Sequence, residues 1–313
     1  MVVDKHNAPC HTIVVNQSLP DLATLVPSWQ LSLRSEGKSP RTLATYTAGV
    51  EQFLKWCERT GTPPEVTKAN AQGWIADLLD SGAKATTAET WLGGIRRFTV
   101  WMVDEGELPN NPLLGMKPPK KETKVIDALS DDDIKLLIKA CQGKSLKDRR
   151  DEAIVRLLVE TGIRANEAID LRCDDVDLQQ GSVTVRRGKG GKGRSVPFGP
   201  QTATALDRYM RLRLRHAAPD NAQLFIGGHI PTFSYWGLAR TLRLRAKDAG
   251  IEGFHLHKLR HTAATRWLRA GGSEGGLMAV AGWSSRSMMD RYVASSASER
   301  AAAEARSLNL GDL

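Results

Sequence analysis

The sequence predicts a mainly α-helical protein with one small β-sheet, divided into two domains. Apolar side chains recur every three to four residues through most of the 313-residue chain, which is the spacing of amphipathic helices. One short stretch alternates instead, at Val183 and Val185, and a glycine-rich turn follows it, as in a β-hairpin. A proline- and lysine-rich segment, residues 109–126, separates the two helical regions and is expected to be extended. These observations predict an α+β protein.

The first helical region, residues 21–108, is predicted to contain four helices. An apolar face begins near its first residue. Ser39 precedes a proline at the start of the second helix, and Thr67 is placed to cap the third. The fourth helix is expected over residues 86–104, where a glycine soon follows.

The second helical region begins with two predicted helices and a basic motif. Ser130 precedes three aspartates, which suit a helix N-terminus, and a further helix is predicted over residues 150–160. Gly162 ends that helix, and Arg164 enters another, with Glu167 three residues later on the same face. Arg164 is either a surface residue or a guanidinium held by Glu167, which suits bidentate phosphate binding.

The predicted hairpin carries a basic tip. Lys189 and Lys192 lie in a glycine-rich run that precedes a return strand at Ser195. The run is not a Walker phosphate loop, because no Gly-Lys-Ser/Thr leads into a helix. The tip is therefore either a flexible surface turn or a means of delivering a lysine into a DNA groove.

Further basic residues share helical faces near the C-terminus. Arg240 and Arg243 lie on one side of a predicted helix, and His257 and Arg260 are three residues apart on the next. His257 and His261 have the spacing of a zinc-binding pair. However, the glutamate that metalloproteases place directly after the first histidine is missing, so no metal site is expected.

Tyr292 closes this series of basic residues, nine positions after Trp283. A phenol flanked by cations suits attack on a phosphodiester, because the cations stabilise both the phenolate and the charged transition state. An unperturbed tyrosine has a pKa of about 10, so at neutral pH it needs nearby cations or a base. We therefore interpret Tyr292 as a nucleophile.

The composition is typical of a soluble globular protein, with 41% hydrophobic and 25% charged residues. A net charge of +9 and a pI near 9.5 favour an anionic partner such as nucleic acid. No apolar stretch approaches the roughly 18 residues of a membrane span, and the N-terminus has no secretory-signal pattern. The four cysteines are scattered and form no Cys-x-x-Cys pair. We expect a cytoplasmic protein, because DNA is available in that compartment.

Taken together, these motifs resemble the tyrosine recombinase, or phage integrase, family. The motifs are Thr-Gly-Ile-Arg164-Ala-Asn-Glu167, Gly-Lys189-Gly-Gly-Lys, His257-Lys-Leu-Arg260-His-Thr, Gly-Trp283 and Tyr292. The resemblance covers roughly residues 127–292 with order and spacing intact, and it is specific as a set. The short N-terminal tail favours an Xer-like or Cre-like recombinase or a compact integrase.

The resemblance implies two domains that form a C-shaped clamp on double-stranded DNA. The expected organisation is an N-terminal tail (1–20), a helical SAM-like core-binding domain (21–108), a basic linker (109–126), a catalytic domain (127–292) and a C-terminal tail (293–313). In the family such a tail docks on a neighbouring protomer and assembles a homotetramer on two DNA sites. An accessory DNA-bending or directionality protein is a further expected partner.

The resemblance also implies the chemistry. Tyr292 is expected to attack a phosphodiester, giving a 3′-phosphotyrosyl link and a free 5′-hydroxyl. Arg164 and Arg260 bind the non-bridging oxygens, and Lys189 protonates the leaving 5′-oxygen, with Lys192 as a competing general acid. Because the covalent link keeps the energy of the broken bond, no cofactor or metal is expected.

Three further roles follow from the same resemblance. His257 is expected to assist proton transfer and phosphate binding, and Glu167 is expected to orient the site. Most family members carry histidine where Trp283 stands, although some, including Cre, carry tryptophan. An indole N–H donates a hydrogen bond but does not shuttle protons, so we assign Trp283 to hydrogen bonding and packing.

Basic residues of both domains are expected to contact DNA. They are Arg41, Arg96, Arg97, Lys120, Lys121, Lys192, Arg240 and Arg243. The competing interpretation is that these side chains are merely solvated. Three alternative functions remain at this stage: a type IB topoisomerase-like enzyme, a non-catalytic DNA-binding protein of the same fold, and a basic protein without a nucleic-acid role.

Overall fold

A computed structural model describes most of the chain. The described residues are 21–120, 128–186, 193–216, 221–227, 233–290, 292–293, 301 and 305–306. The chain divides after Thr123 into two compact units. Among the described residues, no helix combines the length and apolar character needed to cross a membrane.

The first unit consists of four helices whose starts match the sequence signals. They are α1 (Leu22–Ser35), α2 (Pro40–Thr60), α3 (Lys68–Asp80) and α4 (Ala85–Asp104). The hydroxyls of Ser39 and Thr67 each accept a hydrogen bond from a backbone N–H in the first turn, as predicted. Gly61 ends α2 in the left-handed conformation, with φ of 66°.

Aromatic side chains fill the core of this unit. Trp29 packs against Phe98 with ring centroids 5.0 Å apart, and Phe53 meets Trp74 edge-on at 5.5 Å. Helices α2 and α4 approach so closely that a Cβ atom on Gly94 would lie 2.5 Å from the carbonyl oxygen of Tyr46. The crossing of α2 and α4 therefore requires glycine at this position.

The second unit surrounds a small sheet with helices. Its elements are α5 (Asp131–Cys141), α6 (Leu146–Thr161), α7 (Ala165–Ile169), a 3-10 turn (Cys173–Asp175), β1 (Val176–Asp177), β2 (Ser182–Val185), β3 (Arg194–Pro197), α8 (Pro200–Arg213), α9 (Tyr235–Asp248), α10 (Leu256–Arg269) and α11 (Glu274–Ala281). The strands are antiparallel in the order β1-β2-β3, and Val183 lies opposite Val196. The mainly helical fold with one small sheet confirms the predicted fold class.

Two local features differ from the sequence prediction. Helix α6 begins at Leu146 rather than near residue 150, because Ser145 and Asp148 form a reciprocal capping box. Strand β1 was not predicted, because a two-residue strand is too short to show an alternating pattern.

Candidate active site

Tyr292 is buried near the end of the second unit. Residues 286–290 and 292–293 are helical, and Tyr292 is only 5% exposed. Its ring stacks on Trp283, with centroids 4.9 Å apart and an interplanar angle of 21°. The phenol oxygen lies 2.5 Å from Nδ1 of His261, which is within hydrogen-bonding distance. The phenol is thus held between an indole and an imidazole.

Arg164 is fixed by its neighbour on α7, as the spacing of the two residues predicts. It lies at the N-cap of α7, directly after the left-handed turn at Gly162. Glu167 accepts one hydrogen bond from the backbone N–H of Arg164 and another from its guanidinium, both at 2.9 Å. The guanidinium also donates to the carbonyl of Gly282 at 3.2 Å. These contacts hold the arginine while part of it stays accessible.

Arg194 shares the carboxylate of Glu167, and the sequence did not single it out. Its guanidinium donates to both oxygens of Glu167, at 3.2 and 2.7 Å, and its Nε donates to the carbonyl of Val280 at 2.9 Å. Arg194 is the first residue of β3. It therefore ties the return strand of the hairpin to α7 and α11.

Hydrogen bonds set the charge state of Glu167. Burial by itself raises the pKa of this carboxyl, but the side chain of Arg194 and the backbone and side chain of Arg164 together lower it below its usual value. Glu167 therefore stays ionised at neutral pH. One carboxylate serves two guanidinium groups, which leaves this hydrogen-bonded set with a net positive charge.

Arg260 lies beside this set and is bound by main-chain carbonyls. Its Nη1 donates to Gly162 at 2.5 Å and its Nη2 to Ala281 at 2.9 Å. The guanidinium carbon lies 5.2 Å from the centroid of the Trp283 ring. Burial, followed by the charge of Arg164, lowers the pKa of Arg260 to about 10. The low value marks a buried cation that an anion would stabilise.

His257 lies at the exposed edge of this cluster, on the first turn of α10. Its ring meets that of His261 edge-on, with centroids 4.3 Å apart. Desolvation, followed by the charges of Arg260, His255 and Arg164, lowers the pKa of His257. His257 is therefore neutral at neutral pH and can accept a proton or donate a hydrogen bond.

The structure brings most of the predicted catalytic residues into one site. They are Tyr292, Arg164, Glu167, His257, Arg260 and Trp283. Lys189, Lys192 and Lys121 lie outside the described residues. Among those described, no group of three His, Cys, Asp or Glu side chains is placed to hold a metal ion.

The predicted DNA-contacting residues are distributed over both units. Arg240 and Arg243 are exposed on α9, in the second unit. In the first unit, Arg41 is exposed and Arg96 is half-buried. Arg97 lies over the ring of Tyr46, 4.5 Å from its centroid, and donates to the carbonyl of Gly93 at 2.8 Å. Lys120 is exposed at the end of the described part of the linker.

His261 is a second site residue that the sequence did not identify. It was weighed only as a partner of His257 in a metal pair. It lies 31 positions before Tyr292, so their contact is not visible in the sequence. The available signal was its place directly after Arg260, at the start of a helix whose first turns carry the site.

Family models and relatives match this chain along most of its length. A model described as "Phage integrase family" matches residues 127–299, and one described as "Phage integrase, N-terminal SAM-like domain" matches residues 25–106. Tyrosine recombinase XerC of Chromobacterium violaceum is 31% identical over 259 residues, covering 82% of this chain and 85% of that relative.

Solved structures of recombinases share the fold. The XerH site-specific recombinase bound to palindromic difH substrate, a post-cleavage complex, superimposes with a TM-score of 0.71 at 16% identity. That match covers 90% of this chain and 84% of XerH. A lambda integrase tetramer bound to a Holliday junction gives a TM-score of 0.64 at 18% identity, covering 90% of this chain and 83% of the integrase chain.

Proposed function

This chain belongs to the phage integrase family, and from that premise we propose that it breaks and rejoins DNA strands through a covalent bond to Tyr292. It is a site-specific DNA recombinase, as its Xer relatives are tyrosine recombinases. A type IB topoisomerase-like activity and a purely DNA-binding role are not favoured by these relatives. The chemistry assigned to individual residues below is our proposal.

One observation carries the assignment: a buried phenol lies in the same cluster as two fixed guanidinium groups. Tyr292 stacks on Trp283, and Arg260 lies over the same indole. Arg164 donates to the carbonyl of Gly282, the residue before that tryptophan. Fixed cations beside a nucleophile suit phosphoryl transfer, because they neutralise the charge on the non-bridging oxygens without reorganising during the reaction.

The reaction follows from these positions. Arg164 and Arg260 bind the non-bridging oxygens of the scissile phosphate. Trp283 packs against the phenol and donates a hydrogen bond from its indole N–H to the phosphate. The oxygen of Tyr292 attacks phosphorus, and the bond to the 5′-oxygen breaks. Lys189, or Lys192 on the same hairpin, protonates that oxygen. A 5′-hydroxyl from another strand then reverses the step, and the strands are exchanged.

Several side chains prepare this site. Glu167 fixes the guanidinium of Arg164, and Arg194 fixes Glu167 in turn. Because Arg194 begins strand β3, it also anchors the strand that follows Lys189 and Lys192 in the sequence. His257 assists by donating to or accepting from the phosphate group at the exposed edge of the site.

DNA binding in our proposal uses both domains. An N-terminal tail (1–20) precedes the core-binding domain (21–108), and a linker (109–126) connects that domain to the catalytic domain (127–292). The two domains close around double-stranded DNA, and basic side chains contact its phosphates. These side chains are Arg41, Arg96, Arg97, Lys120, Lys121, Lys192, Arg240 and Arg243.

Assembly on two DNA sites is the remaining part of the proposal. We propose a homotetramer in which the C-terminal tail, residues 293–313, docks on a neighbouring protomer. The lambda integrase tetramer on a Holliday junction, which shares the fold, supports the tetramer, whereas the docking of the tail is our proposal alone. An accessory DNA-bending or directionality protein acts with it, in the cytoplasm of a bacterial or phage host cell.

The decisive experiment traps the covalent intermediate. The protein is incubated, without added metal, with nicked suicide duplexes that tile the DNA flanking its gene. The short 5′-hydroxyl fragment leaves after cleavage, so the phosphotyrosyl bond accumulates as a protein–DNA band on a denaturing gel. We expect a band with wild type and none with Tyr292→Phe, which keeps the stacked ring and removes only the nucleophile.

The controls separate binding from chemistry. Tyr235→Phe removes the hydroxyl of an exposed tyrosine and is expected to leave the band intact. Salt-sensitive binding of every duplex without any band from wild type would contradict the covalent mechanism. Joining of two marked duplexes, as opposed to relaxation of a supercoiled plasmid alone, distinguishes recombination from topoisomerase-like strand passage.

A further inference from the structure

The hydroxyl of Tyr292 has a defined partner that the mechanism above does not use. Nδ1 of His261 lies 2.5 Å from the phenol oxygen. The two rings are tilted by 43°, with centroids 5.4 Å apart. Attack on phosphorus requires the phenol to lose its proton, since an unperturbed tyrosine with a pKa of about 10 is almost wholly protonated at neutral pH.

The backbone places His261 where a proton acceptor is needed. It follows Arg260 on α10, so the phosphate-binding guanidinium and the imidazole share one rigid element. Arg260 is pinned to the carbonyls of Gly162 and Ala281, which limits the movement of this turn. The phenol is held by its stacking on Trp283, over which Arg260 also lies. Both rings are therefore held in place by contacts other than the one between them.

We propose that His261 is a catalytic residue that accepts the phenolic proton of Tyr292 during cleavage and returns it during resealing. This inference rests on the proposed function. The O–H bond of Tyr292 breaks as an N–H bond forms at Nδ1 of His261. The phenol oxygen bonds to phosphorus, and the 5′-oxygen leaves with a proton from Lys189 or Lys192. His261 ends the step as imidazolium, and resealing reverses each transfer.

The neighbouring histidine completes the arrangement. His257 packs edge-on against His261 and is exposed. Its lowered pKa keeps it neutral. A neutral imidazole beside His261 disfavours the imidazolium less than a second cation would. The phenol itself is bonded to His261, so His261 rather than His257 makes the first transfer.

The test compares His261→Asn with wild type in single-turnover cleavage of the same suicide duplexes. Asparagine places its side-chain oxygen near the former Nδ1 and still accepts a hydrogen bond, but it does not take up the proton. General bases contribute about 10²- to 10⁴-fold, so we expect cleavage at least about 100-fold slower. His216→Asn, the same change at an exposed position after α8, is expected to cleave at the wild-type rate.

Two chemical substitutions separate proton acceptance from positioning. With 3-fluorotyrosine at position 292, a more acidic phenol needs the base less, so the ratio of wild-type to His261→Asn rates is expected to shrink. With sulfur replacing the bridging 5′-oxygen, the leaving group needs no proton. We expect this substrate to restore whichever of the Lys189→Ala and Lys192→Ala variants is impaired, and to leave the His261→Asn defect unchanged.

Each outcome bears on the proposal. An unchanged rate in His261→Asn, a defect that fluorination leaves untouched, or a defect that the sulfur substrate abolishes would each overturn the role of His261. These results leave the Tyr292 mechanism intact, because the wild-type band is scored on the same gel. A missing wild-type band would overturn the proposed function and this inference with it. Matching thermal unfolding of His261→Asn and wild type shows that a rate defect is not misfolding.

Discussion

Removing the charge of Glu167 provides the sharpest test of how this site is held together. The carboxylate of Glu167 accepts four hydrogen bonds, at 2.7 to 3.2 Å. The Glu167→Gln variant replaces this charged acceptor with a neutral amide. Removing one partner of a buried ion pair costs about 3–5 kcal/mol. The side chains of Arg164 and Arg194 remain 27% and 13% exposed, so water offsets part of that loss. We therefore expect the variant to be less stable by about 2–3 kcal/mol.

The pH dependence of this loss follows from the pKa of Glu167. Although burial raises it, the bonds from Arg194 and Arg164 hold it below its unfolded value. The stabilisation is therefore complete above the unfolded pKa of about 4.3, and it disappears as the pH falls through the folded-state value. Because glutamine does not titrate, the stability difference between wild type and the variant closes in acid.

The assay is urea unfolding of the full chain, followed by circular dichroism, at several values between about pH 7 and about pH 3. Glu252→Gln, at an exposed position, is the matched control and is expected to change stability little. A cost below about 0.5 kcal/mol at neutral pH, the level of ordinary surface changes, would refute this structural role of Glu167. The same cost at both ends of the pH range would refute the role of its charge.

Three further predictions test other parts of the molecule. Arg194→Lys keeps a positive charge but loses the planar fork, so cleavage is expected to slow about 10- to 100-fold while duplex affinity, measured by fluorescence anisotropy, stays unchanged. Gly94→Ala is expected to destabilise the first unit by about 1–3 kcal/mol in thermal unfolding, because the new Cβ meets the carbonyl of Tyr46. In Gly73→Ala the new Cβ would meet only side-chain carbons of Trp56, at 3.5 Å, so this variant is expected to be more stable than wild type. Arg243→Ala is expected to weaken DNA binding and to reduce the magnitude of its salt slope by about 1, whereas unchanged binding would remove α9 from the interface.

Local sequence signals predicted those features of the fold that depend on neighbouring residues. Ser39 and Ser130 cap helices because a hydroxyl satisfies backbone donors two or three residues ahead, and both partners are visible in the sequence. The start of α6 was missed although Ser145 and Asp148 form a capping box there. The residues between that box and the apolar face are polar and charged, so the apolar period appears only later in the helix.

The active site shows the same division between local and distant contacts. The pairing of Arg164 with Glu167 spans three residues on one helix and follows from the sequence. The contacts of Arg194 with Glu167 and of His261 with Tyr292 span 27 and 31 residues. They depend on how separate elements pack, and no periodicity or cap predicts that. Contacts within one helix can therefore be predicted from the sequence, whereas contacts between separate elements cannot.

The two arginines that we propose to bind the scissile phosphate, Arg164 and Arg260, are held in different ways. Arg164 has a carboxylate partner, which fixes its position but neutralises part of its charge. The bonds described for Arg260 go to carbonyls, which fix its position, and the charge of Glu167 offsets only part of the lowering of its pKa by burial and by Arg164. Its pKa of about 10 records the free-energy cost of that buried charge. In our proposal, a scissile phosphate places an anion beside Arg260, so DNA binding would relieve part of a free-energy cost already present in the folded protein.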